Sequence, residues 1–563
     1  MNVMRGLTVI EIMKYFKLLS DYKFLLSFLF ILNLIGNAVW LFMQPMVLSM
    51  ILVIVLSALF AVLEVSLFRI IPTSLLKAAY AVVMIILHNV IGIIDYFLLY
   101  YFKSVIDVNV ITTVLLTNDG EASEFATTYI TLPTIVLFLL TTIFVNVCIY
   151  KLAFYLRKFR YALWTICIAA ILSIVFLVGN TALFMLFNIS VNAQTPMHHA
   201  FFRVGREYVL FKQSIHIDEM MQVGRNVKAV SALGEPLKMV IIIGESHSVY
   251  HTSLYGYEKL TYPLLTEREK NGELFVMQQA ASAHDVTSPT MWSIFSLDSM
   301  GHATNTTPLF PMVFKAAGYR TFMYDNEFLK NNTLHVMTNS DLSDLMYDQR
   351  NTHYYEYDGD MVEELPLTDD SLAMYIVHLA GHHFEYSKRY PESFAKYKYS
   401  DYHTSHPDDK KEIIATYDNA CLYNDFVIDA VIKKFEEDNA VVVYLADHGE
   451  EIYDLSSFLG HMSSKTSPDP SYQLRVPLLV WLSTSFREHH PDIVDKLNSR
   501  RDIHIKTDDI SHFLIDISSI ETDCLHKNRS FISSEYKGWT DFNELISTDG
   551  IYTEEGTNMR DFM

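Results

Sequence analysis

Five long apolar runs occupy the first 190 residues of this 563-residue chain. A helix needs about 20 mostly apolar residues to cross a lipid bilayer, and each run is long enough. The predicted spans are residues 24–43, 47–68, 78–102, 134–156 and 161–187. We therefore expect an N-terminal transmembrane domain of five helices, covering residues 1–190.

The basic residues between these runs predict how the spans are oriented, because Lys and Arg near the ends of spans favour the cytoplasmic side. They cluster before the first span, after the second and after the fourth: Arg5, Lys14, Lys17, Lys23, Arg69, Lys77, Lys151, Arg157, Lys158 and Arg160. No small-residue cleavage site follows the first span, which is typical of a retained anchor. A cytoplasmic N-terminus and five spans place everything after residue 190 outside.

Two spans contain ionisable residues that are costly to bury in a bilayer. Glu64 lies close to Arg69 and is expected near the cytoplasmic interface. His88 and Asp95 are either paired between helices or part of a path for lipid.

The exterior part of the chain is strongly acidic. Of 43 basic and 64 acidic residues, only 11 and 8 precede residue 190. This balance disfavours nucleic-acid binding, which requires positive charge. The cysteines do not form a disulfide framework. Cys148 and Cys167 lie within spans, and a bridge between Cys421 and Cys524 is possible without support from their spacing.

After a predicted connector at 191–235, with an amphipathic helix around 200–222, strand-like runs alternate with helical segments. The runs are residues 239–245, 320–326, 371–381, 440–450 and 476–482, and a long helical pattern covers 411–437. This alternation predicts an α/β domain on a mostly parallel sheet in residues 236–563.

Polar residues stand where four of these strands end. They are Glu245, Asp325, Asn326, His378, His382, His383, Asp447 and His448, and His461 follows in a nearby loop. In open α/β sheets, ligands bind beyond the carboxyl ends of the strands. We therefore expect these side chains to form one site.

Glu245, Asp447 and His448 offer two carboxylates and one imidazole, a donor set that suits Zn²⁺ or Mn²⁺. Gly449 lets the chain leave the strand so that Asp447 and His448 can reach one ion. Taken alone, the pair fits a buried aspartate bonded to backbone beside a surface histidine equally well. Glu245 at the end of another strand favours the metal.

Thr287 directly precedes Ser288 and Pro289, and an apolar helical run follows. This pattern is typical of a helix N-terminus. On its own, Thr287 fits a capping residue better than a nucleophile.

Five motifs together resemble the bacterial phosphoethanolamine transferases, which are membrane-anchored members of the alkaline phosphatase and sulfatase superfamily. They are "GES" with "SLYGY" (244–257), the Thr287 segment, "HLAGHHFEYSKRYP" (378–391), "YDNACLYND" (417–425) and "DHGEE" (447–451) followed by "GH" (460–461). The resemblance covers nearly the whole chain and is nearest to the branch that modifies the lipopolysaccharide core.

The resemblance implies a zinc site formed by Glu245, Thr287, Asp447 and His448, with Thr287 as the catalytic nucleophile and Thr290 as its alternative. Further residues are implied to bind substrate: His383 and His461 at the phosphoryl group, His378 one shell away, and Glu121 at the donor head group. Thr113 stands where the family pattern has an asparagine in the loop that carries Glu121.

The implied reaction transfers phosphoethanolamine from phosphatidylethanolamine, through an ester on Thr287, to lipid A, to the lipopolysaccharide core or to another envelope acceptor. The implied location is the bacterial inner membrane, with the catalytic domain in the periplasm. Alternatives are a glycerol phosphate transferase, another phosphoryl or sulfuryl hydrolase of the superfamily, and an inactive membrane sensor. A sulfatase is disfavoured because threonine cannot become formylglycine.

Overall fold

The computed structural model describes residues 17–43, 47–102, 106, 110–111, 114, 119–157, 223–297, 307–327, 345–347, 355–455, 458–461, 469 and 471–538. Its N-terminal helices are α1 (Tyr22–Met43), α2 (Val47–Ile70), α3 (Ser74–Phe102), α4 (Asp119–Tyr129) and α5 (Leu132–Leu156). Helices α1, α2, α3 and α5 coincide with the first four predicted spans. The fifth predicted span and the amphipathic helix lie outside the described residues.

Length and composition make α3 and α5 candidates for crossing a membrane, and residues Tyr22–Ile35 of α1 form a shorter apolar segment. Two pairs of polar side chains inside the bundle meet between helices. His88 Nε2 lies 2.8 Å from Glu64 Oε1, and the Asn89 and Asn146 amides bond to each other at 2.6 and 3.2 Å. Pairing removes much of the cost of burying these groups. His88 is thus paired between helices, and it also lines a cavity of the bundle together with Asp95.

Helix α4 was not predicted from sequence, because residues 103–131 were interpreted only as an exterior loop. Its Phe125 and Tyr129 pack on Phe102 of α3 and on Phe384 beyond the bundle. The helix thus connects the apolar bundle to the α/β part of the chain.

The α/β part contains a seven-stranded sheet in the order β3-β11-β8-β2-β7-β5-β6. The strands are β2 (Leu237–Gly244), β3 (Leu274–Met277), β5 (Arg320–Asp325), β6 (Leu345–Tyr347), β7 (Leu372–His378), β8 (Ala440–Ala446) and β11 (Leu478–Leu482). Neighbours from β8 through β6 run parallel, whereas β11 is antiparallel to both β8 and β3.

Central strand β2 is buried along its whole length. Met239, Ile241 and Ile243 enter the core on one face of the sheet, and Val240 and Ile242 enter the core on the other. A strand covered on both faces is a continuous apolar run, which is typical of parallel sheets between helical layers.

The covering helices are α6 (Pro263–Lys270), α7 (Thr287–Phe295), α8 (Phe310–Ala316), α9 (Asp358–Glu363), α10 (Asp408–Lys434), α11 (Ser471–Leu474), α12 (Thr484–His489), α13 (Pro491–Ser499) and α14 (Ile510–Ile517). Helices α7, α8 and α14 contribute to the first core. Helices α6, α9 and α10 contribute to the second.

Three short strand pairs complete this part of the molecule. They join β1 (Ala229–Ser231) to β13 (Ile520–Thr522), β4 (Gln279–Ala281) to β12 (His504–Lys506), and β9 (Glu451–Ile452) to β10 (Leu459–Gly460). Strand β1 lies within the last residues of the predicted connector, so these residues pair with the end of the α/β fold.

Candidate active site

The register of the parallel strands brings their carboxyl ends to one edge. Ile243 of β2 is level with His378 of β7, and Gly244 is level with Ala446 of β8. Asp325 of β5 is level with His378. The residues that follow these strands therefore start from one line, which is why distant parts of the sequence meet here.

Glu245, Asp447 and His448 form a compact and fully buried cluster. His448 Nε2 lies 3.4 Å from Glu245 Oε1 and 3.2 Å from Asp447 Oδ2. Thr287 Oγ1 lies 3.1 Å from Glu245 Oε2 and 3.3 Å from His448 Nε2. The four residues that the family resemblance assigns to the metal are thus brought together.

The hydrogen bonds around this cluster leave one oxygen of Asp447 and one nitrogen of His448 pointing inward and available to a metal ion. Asp447 Oδ1 accepts from the backbone N–H groups of Ser246 and His448 at 3.1 and 2.7 Å, whereas Asp447 Oδ2 accepts no hydrogen bond within the described part of the chain. His448 Nδ1 donates to the Gly449 carbonyl at 3.0 Å, which leaves the Nε2 lone pair for a ligand.

Electrostatics favour a cation at this position. Burial and the neighbouring Glu245 carboxylate raise the pKa of Asp447 well above its ordinary range. Two neighbouring carboxylates that are buried away from water do not both ionise unless a positive charge lies between them. Two carboxylate oxygens, an imidazole nitrogen and a threonine oxygen match the ligands that Zn²⁺ accepts, so the residues present fit the implied metal.

Close contact between two loops fixes the position of Glu245. A Cβ on Gly381 would lie 2.7 Å from the Glu245 backbone nitrogen, and Gly381 has a φ of +51°. Ser246 also adopts a positive φ of 54°, and its hydroxyl donates to Glu245 Oε1 at 2.7 Å. Glycine accepts the positive φ at position 381 without steric cost.

Thr287 is the first residue of α7, as the sequence predicts. Thr290, the alternative nucleophile, lies on the wrong side of the first turn. It is fully buried, and its hydroxyl is hydrogen-bonded to the Val286 carbonyl at 2.9 Å. The geometry therefore favours Thr287 over the alternative Thr290, whose hydroxyl proton is held by backbone carbonyls.

His461 lies beside the cluster, with its ring centroid 4.1 Å from that of His448. Its Nδ1 is 2.7 Å from Glu450 Oε2, and Glu450 Oε1 accepts from the Tyr386 hydroxyl at 2.8 Å. Burial lowers the pKa of His461, but the Glu450 carboxylate outweighs it and the pKa is raised. Glu450 was overlooked in the sequence, although it stands in the "DHGEE" motif.

His383 shares a second cluster with Glu245 and Glu327, with one ligand atom of each within 4.8 Å of the others. His378 does not reach the open site. It is fully buried, with Nδ1 3.0 Å from Asp325 Oδ1 and Nε2 2.6 Å from Glu327 Oε2. The expected substrate contact of His378 is thus corrected to a contact with Glu327, which no motif in the sequence indicated.

Glu121 lies in α4, and the placement of its side chain is outside the described part of the structure. The same helix reaches the site through other residues. The Thr127 hydroxyl donates to Glu385 Oε1 at 2.6 Å, and Phe384 lies between Tyr129 and His461, with centroid distances of 5.6 Å to each ring.

The "SLYGY" motif surrounds a buried ionic group. His251 Nδ1 lies 2.6 Å from Asp418 Oδ1, and Nε2 lies 3.3 Å from Asp454 Oδ1. The hydroxyls of Tyr257 and Tyr402 donate to the other oxygen of Asp418. Burial lowers the pKa of His251, but the two aspartates raise it to about 10. This group ties the motif to α10 and to the loop that leads to His461.

Both the fold and the arrangement of the site are those of a sulfatase-like domain. The family model described as Sulfatase matches residues 238–518, and this part of the chain belongs to that family. Within it, the chain is a homologue of the phosphoethanolamine transferases. Phosphoethanolamine transferase EptC of Escherichia coli (strain K12) is 29% identical over 324 residues, which are 54% of this chain and 55% of that protein.

Two solved structures extend the comparison. The C-terminal periplasmic domain of Escherichia coli EptC, solved in complex with Zn, is 27% identical with a TM-score of 0.50, covering 56% of this chain and 91% of that one. The integral membrane protein lipooligosaccharide phosphoethanolamine transferase A (EptA) from Neisseria meningitidis is 19% identical. Its TM-score is 0.62, covering 90% of this chain and 97% of that one. At this identity the second likeness concerns the fold alone.

Proposed function

We propose that this protein transfers phosphoethanolamine from phosphatidylethanolamine to an acceptor of the bacterial cell envelope through a covalent intermediate on Thr287. The observation that carries the proposal is the position of the Thr287 hydroxyl, 3.1 Å from Glu245 and 3.3 Å from His448 at the start of a helix. The names of the relatives support phosphoethanolamine as the transferred group. Lipid A and the lipopolysaccharide core are the acceptors that we favour.

We assign Zn²⁺ to Glu245, Thr287, Asp447 and His448, with Mn²⁺ as the alternative that the same donors allow. When bound, the ion supplies a Lewis acid that makes the threonine oxygen more nucleophilic and polarises the phosphoryl group. The inward-pointing Asp447 Oδ2 and His448 Nε2 support this assignment.

In the first displacement, the Thr287 oxygen forms a bond to phosphorus while the bond from phosphorus to the diacylglycerol oxygen breaks. Glu245 Oε2, which already accepts the hydrogen bond of the Thr287 hydroxyl at 3.1 Å, takes the hydroxyl proton. His461, kept protonated by Glu450, donates a proton to the departing diacylglycerol oxygen. His383, which lies in one cluster with Glu245 and Glu327, donates to a phosphoryl oxygen as charge develops there.

In the second displacement, an acceptor hydroxyl attacks the phosphorus of the Thr287 ester. His461, now neutral, takes the proton of that hydroxyl, and Thr287 leaves with the proton that Glu245 returns to it. The two displacements use the same residues in opposite roles, so the product leaves the enzyme in its starting state.

The donor is a lipid, which gives the apolar helices a part in the proposal. We propose five spans, a cytoplasmic N-terminus, a connector at 191–235 and a periplasmic catalytic domain at 236–563. Helix α4 lies between the bundle and the site, through Tyr129 and Phe384. It would therefore face the head group of a donor in the outer leaflet, where Glu121 can pair with the ethanolammonium.

The proposal is tested with the purified full-length chain and labelled phosphatidylethanolamine. The zinc-loaded protein should release diacylglycerol, and a chelator should abolish that release until zinc is restored. Glu245→Ala should lose its activity and one zinc ion per chain, whereas Glu267→Ala, at an exposed acid, should retain both. Unchanged zinc in Glu245→Ala, or full activity in the chelated protein, would contradict the assignment.

A further inference from the structure

A second set of metal-binding side chains lies behind the candidate active site. His247 follows β2, His382 follows β7, and Cys421 lies in the middle of α10. All three are fully buried, and one donor atom of each lies within 4.8 Å of the other two. The ring centroids of His247 and His382 are 4.5 Å apart, with the ring planes at 28° to each other, so one ring has to turn about its side-chain bonds for both imidazoles to bind one ion.

His382 is the strongest sign that something is bound here. Its side chain has no exposed surface, and neither ring nitrogen has a hydrogen-bond partner among the described residues. A buried polar group without a partner destabilises the fold, and the imidazole of His382 has a polar atom at two positions. Cys421, next to it, is a free thiol with no exposed surface.

The hydrogen bonds of His247 identify which of its nitrogens can bind an ion. The Thr252 hydroxyl donates to the Ser248 carbonyl, and the Tyr262 hydroxyl donates to Asn424. Both hydroxyl oxygens therefore accept from His247 Nε2, at 2.8 and 2.9 Å. That nitrogen carries the proton, so Nδ1 is the unprotonated nitrogen. It accepts from the Tyr444 hydroxyl at 2.7 Å, and an ion bound there would take the place of that hydrogen.

We propose that His247, His382 and Cys421 form a second metal site, which binds a soft or borderline ion, Zn²⁺ or Cu⁺, through two imidazole nitrogens and one thiolate. Binding replaces the proton of the Cys421 thiol, which passes to solvent, with a sulfur–metal bond. No oxidant or reductant takes part. The Tyr444 hydroxyl can supply a fourth donor for Zn²⁺, whereas Cu⁺ accepts the three.

The position of this site gives it a role in supporting the catalytic one. The His382 backbone N–H donates to the Glu245 carbonyl at 2.9 Å, and Tyr417, one turn before Cys421 on α10, donates to the Ser246 carbonyl at 2.7 Å. An ion here would therefore join α10 to the two loops that place Glu245 and His383. Its removal should loosen these loops without removing any ligand of the catalytic metal.

Cobalt spectroscopy can distinguish the two sites, because only the second has a sulfur ligand. The full-length chain is stripped of metal and loaded with Co²⁺. We expect a thiolate-to-cobalt charge-transfer band that disappears in Cys421→Ser and in His382→Gln. The matched control Cys524→Ser should keep the band, and so should Glu245→Gln, which lacks only a ligand of the first site. Metal analysis should find one ion fewer per chain in Cys421→Ser.

A wild-type chain without the charge-transfer band overturns the proposal, whatever the variants do. A band that survives in Cys421→Ser, or that is lost in Cys524→Ser, overturns it as well. The two sites share no ligand. If the cobalt experiment contradicts the second site while diacylglycerol release is intact, the transferase function still holds. If diacylglycerol release fails while the cobalt band behaves as expected, the second site still holds.

Discussion

Individual side chains around the site divide into those that contact reacting atoms and those that hold them in place. Glu450 belongs to the second group, because it is fully buried and meets only His461 and Tyr386 among the contacts described above. A carboxylate that orients a histidine in this way also raises its basicity. Glu450 is therefore expected to set the protonation state of His461.

Glu450→Gln should lower diacylglycerol release about 10- to 100-fold, the range typical of lost supporting contacts. The pKa of His461 is raised by Glu450, so the variant should lose activity at a lower pH than the wild type as pH rises. The measurement is the pH profile of release, together with zinc content, which should not change. Glu437→Gln, at an exposed acid, is the control, and identical profiles in both variants would refute this role.

His251 allows a prediction on stability. Its pKa is raised to about 10 by Asp418 and Asp454, from about 6.5 in an unfolded chain. The stabilisation is thus fully present below pH about 6.5 and is lost as pH rises towards 10. His251→Gln should lower the free energy of unfolding of the catalytic domain by about 3–5 kcal/mol near pH 6, the cost of breaking a buried ion pair.

The difference between wild type and His251→Gln should shrink steadily towards pH 10, as followed by near-ultraviolet circular dichroism during unfolding. His403→Gln, at an exposed histidine, should show little change at any pH. A difference that stays constant between pH 6 and 10 would mean that His251 is not charged in the folded protein.

At the scale of elements, the sequence predicted the parallel strands and the edge at which they end, because buried strands such as β2 are continuous apolar runs. It predicted the start of α7 at Thr287 from the following proline. It did not predict α4, whose few apolar residues, Phe125 and Tyr129 among them, contact partners far away in sequence. The contact of Glu327 was not predicted for a similar reason, because its partner His378 comes from another strand.

The contact between α4 and the loop after β7 can be tested by removing one ring. Phe384 touches Phe125 and Tyr129, so Phe384→Ala should free α4 and speed hydrogen exchange of its amides. Hydrogen exchange of the α3 amides should not change, because α3 is held by its packing within the helical bundle. Phe426→Ala, which removes a ring that packs on Phe394 and Tyr423, is the control and should leave α4 protected.

For the whole molecule, the number of spans decides on which side of the membrane the catalytic domain lies. Four of the five predicted spans coincide with described helices, and a fifth at 161–187 would place the catalytic domain opposite to the N-terminus. An alkaline phosphatase reporter fused at the C-terminus should be active, and a fluorescent protein fused at the N-terminus should mature in the cytoplasm. An inactive C-terminal reporter with a fluorescent N-terminus would show an even number of spans.

Catalysis at Thr287 is the claim on which the account of the site depends, and peptide mass spectrometry tests it directly. After incubation of the zinc-loaded full-length chain with phosphatidylethanolamine, a phosphoethanolamine mass should be found on the peptide that contains Thr287. The adduct should be absent from Thr287→Ala and present in Thr290→Ser. An adduct of equal yield in Thr287→Ala, or none in an active wild-type protein, would contradict the account.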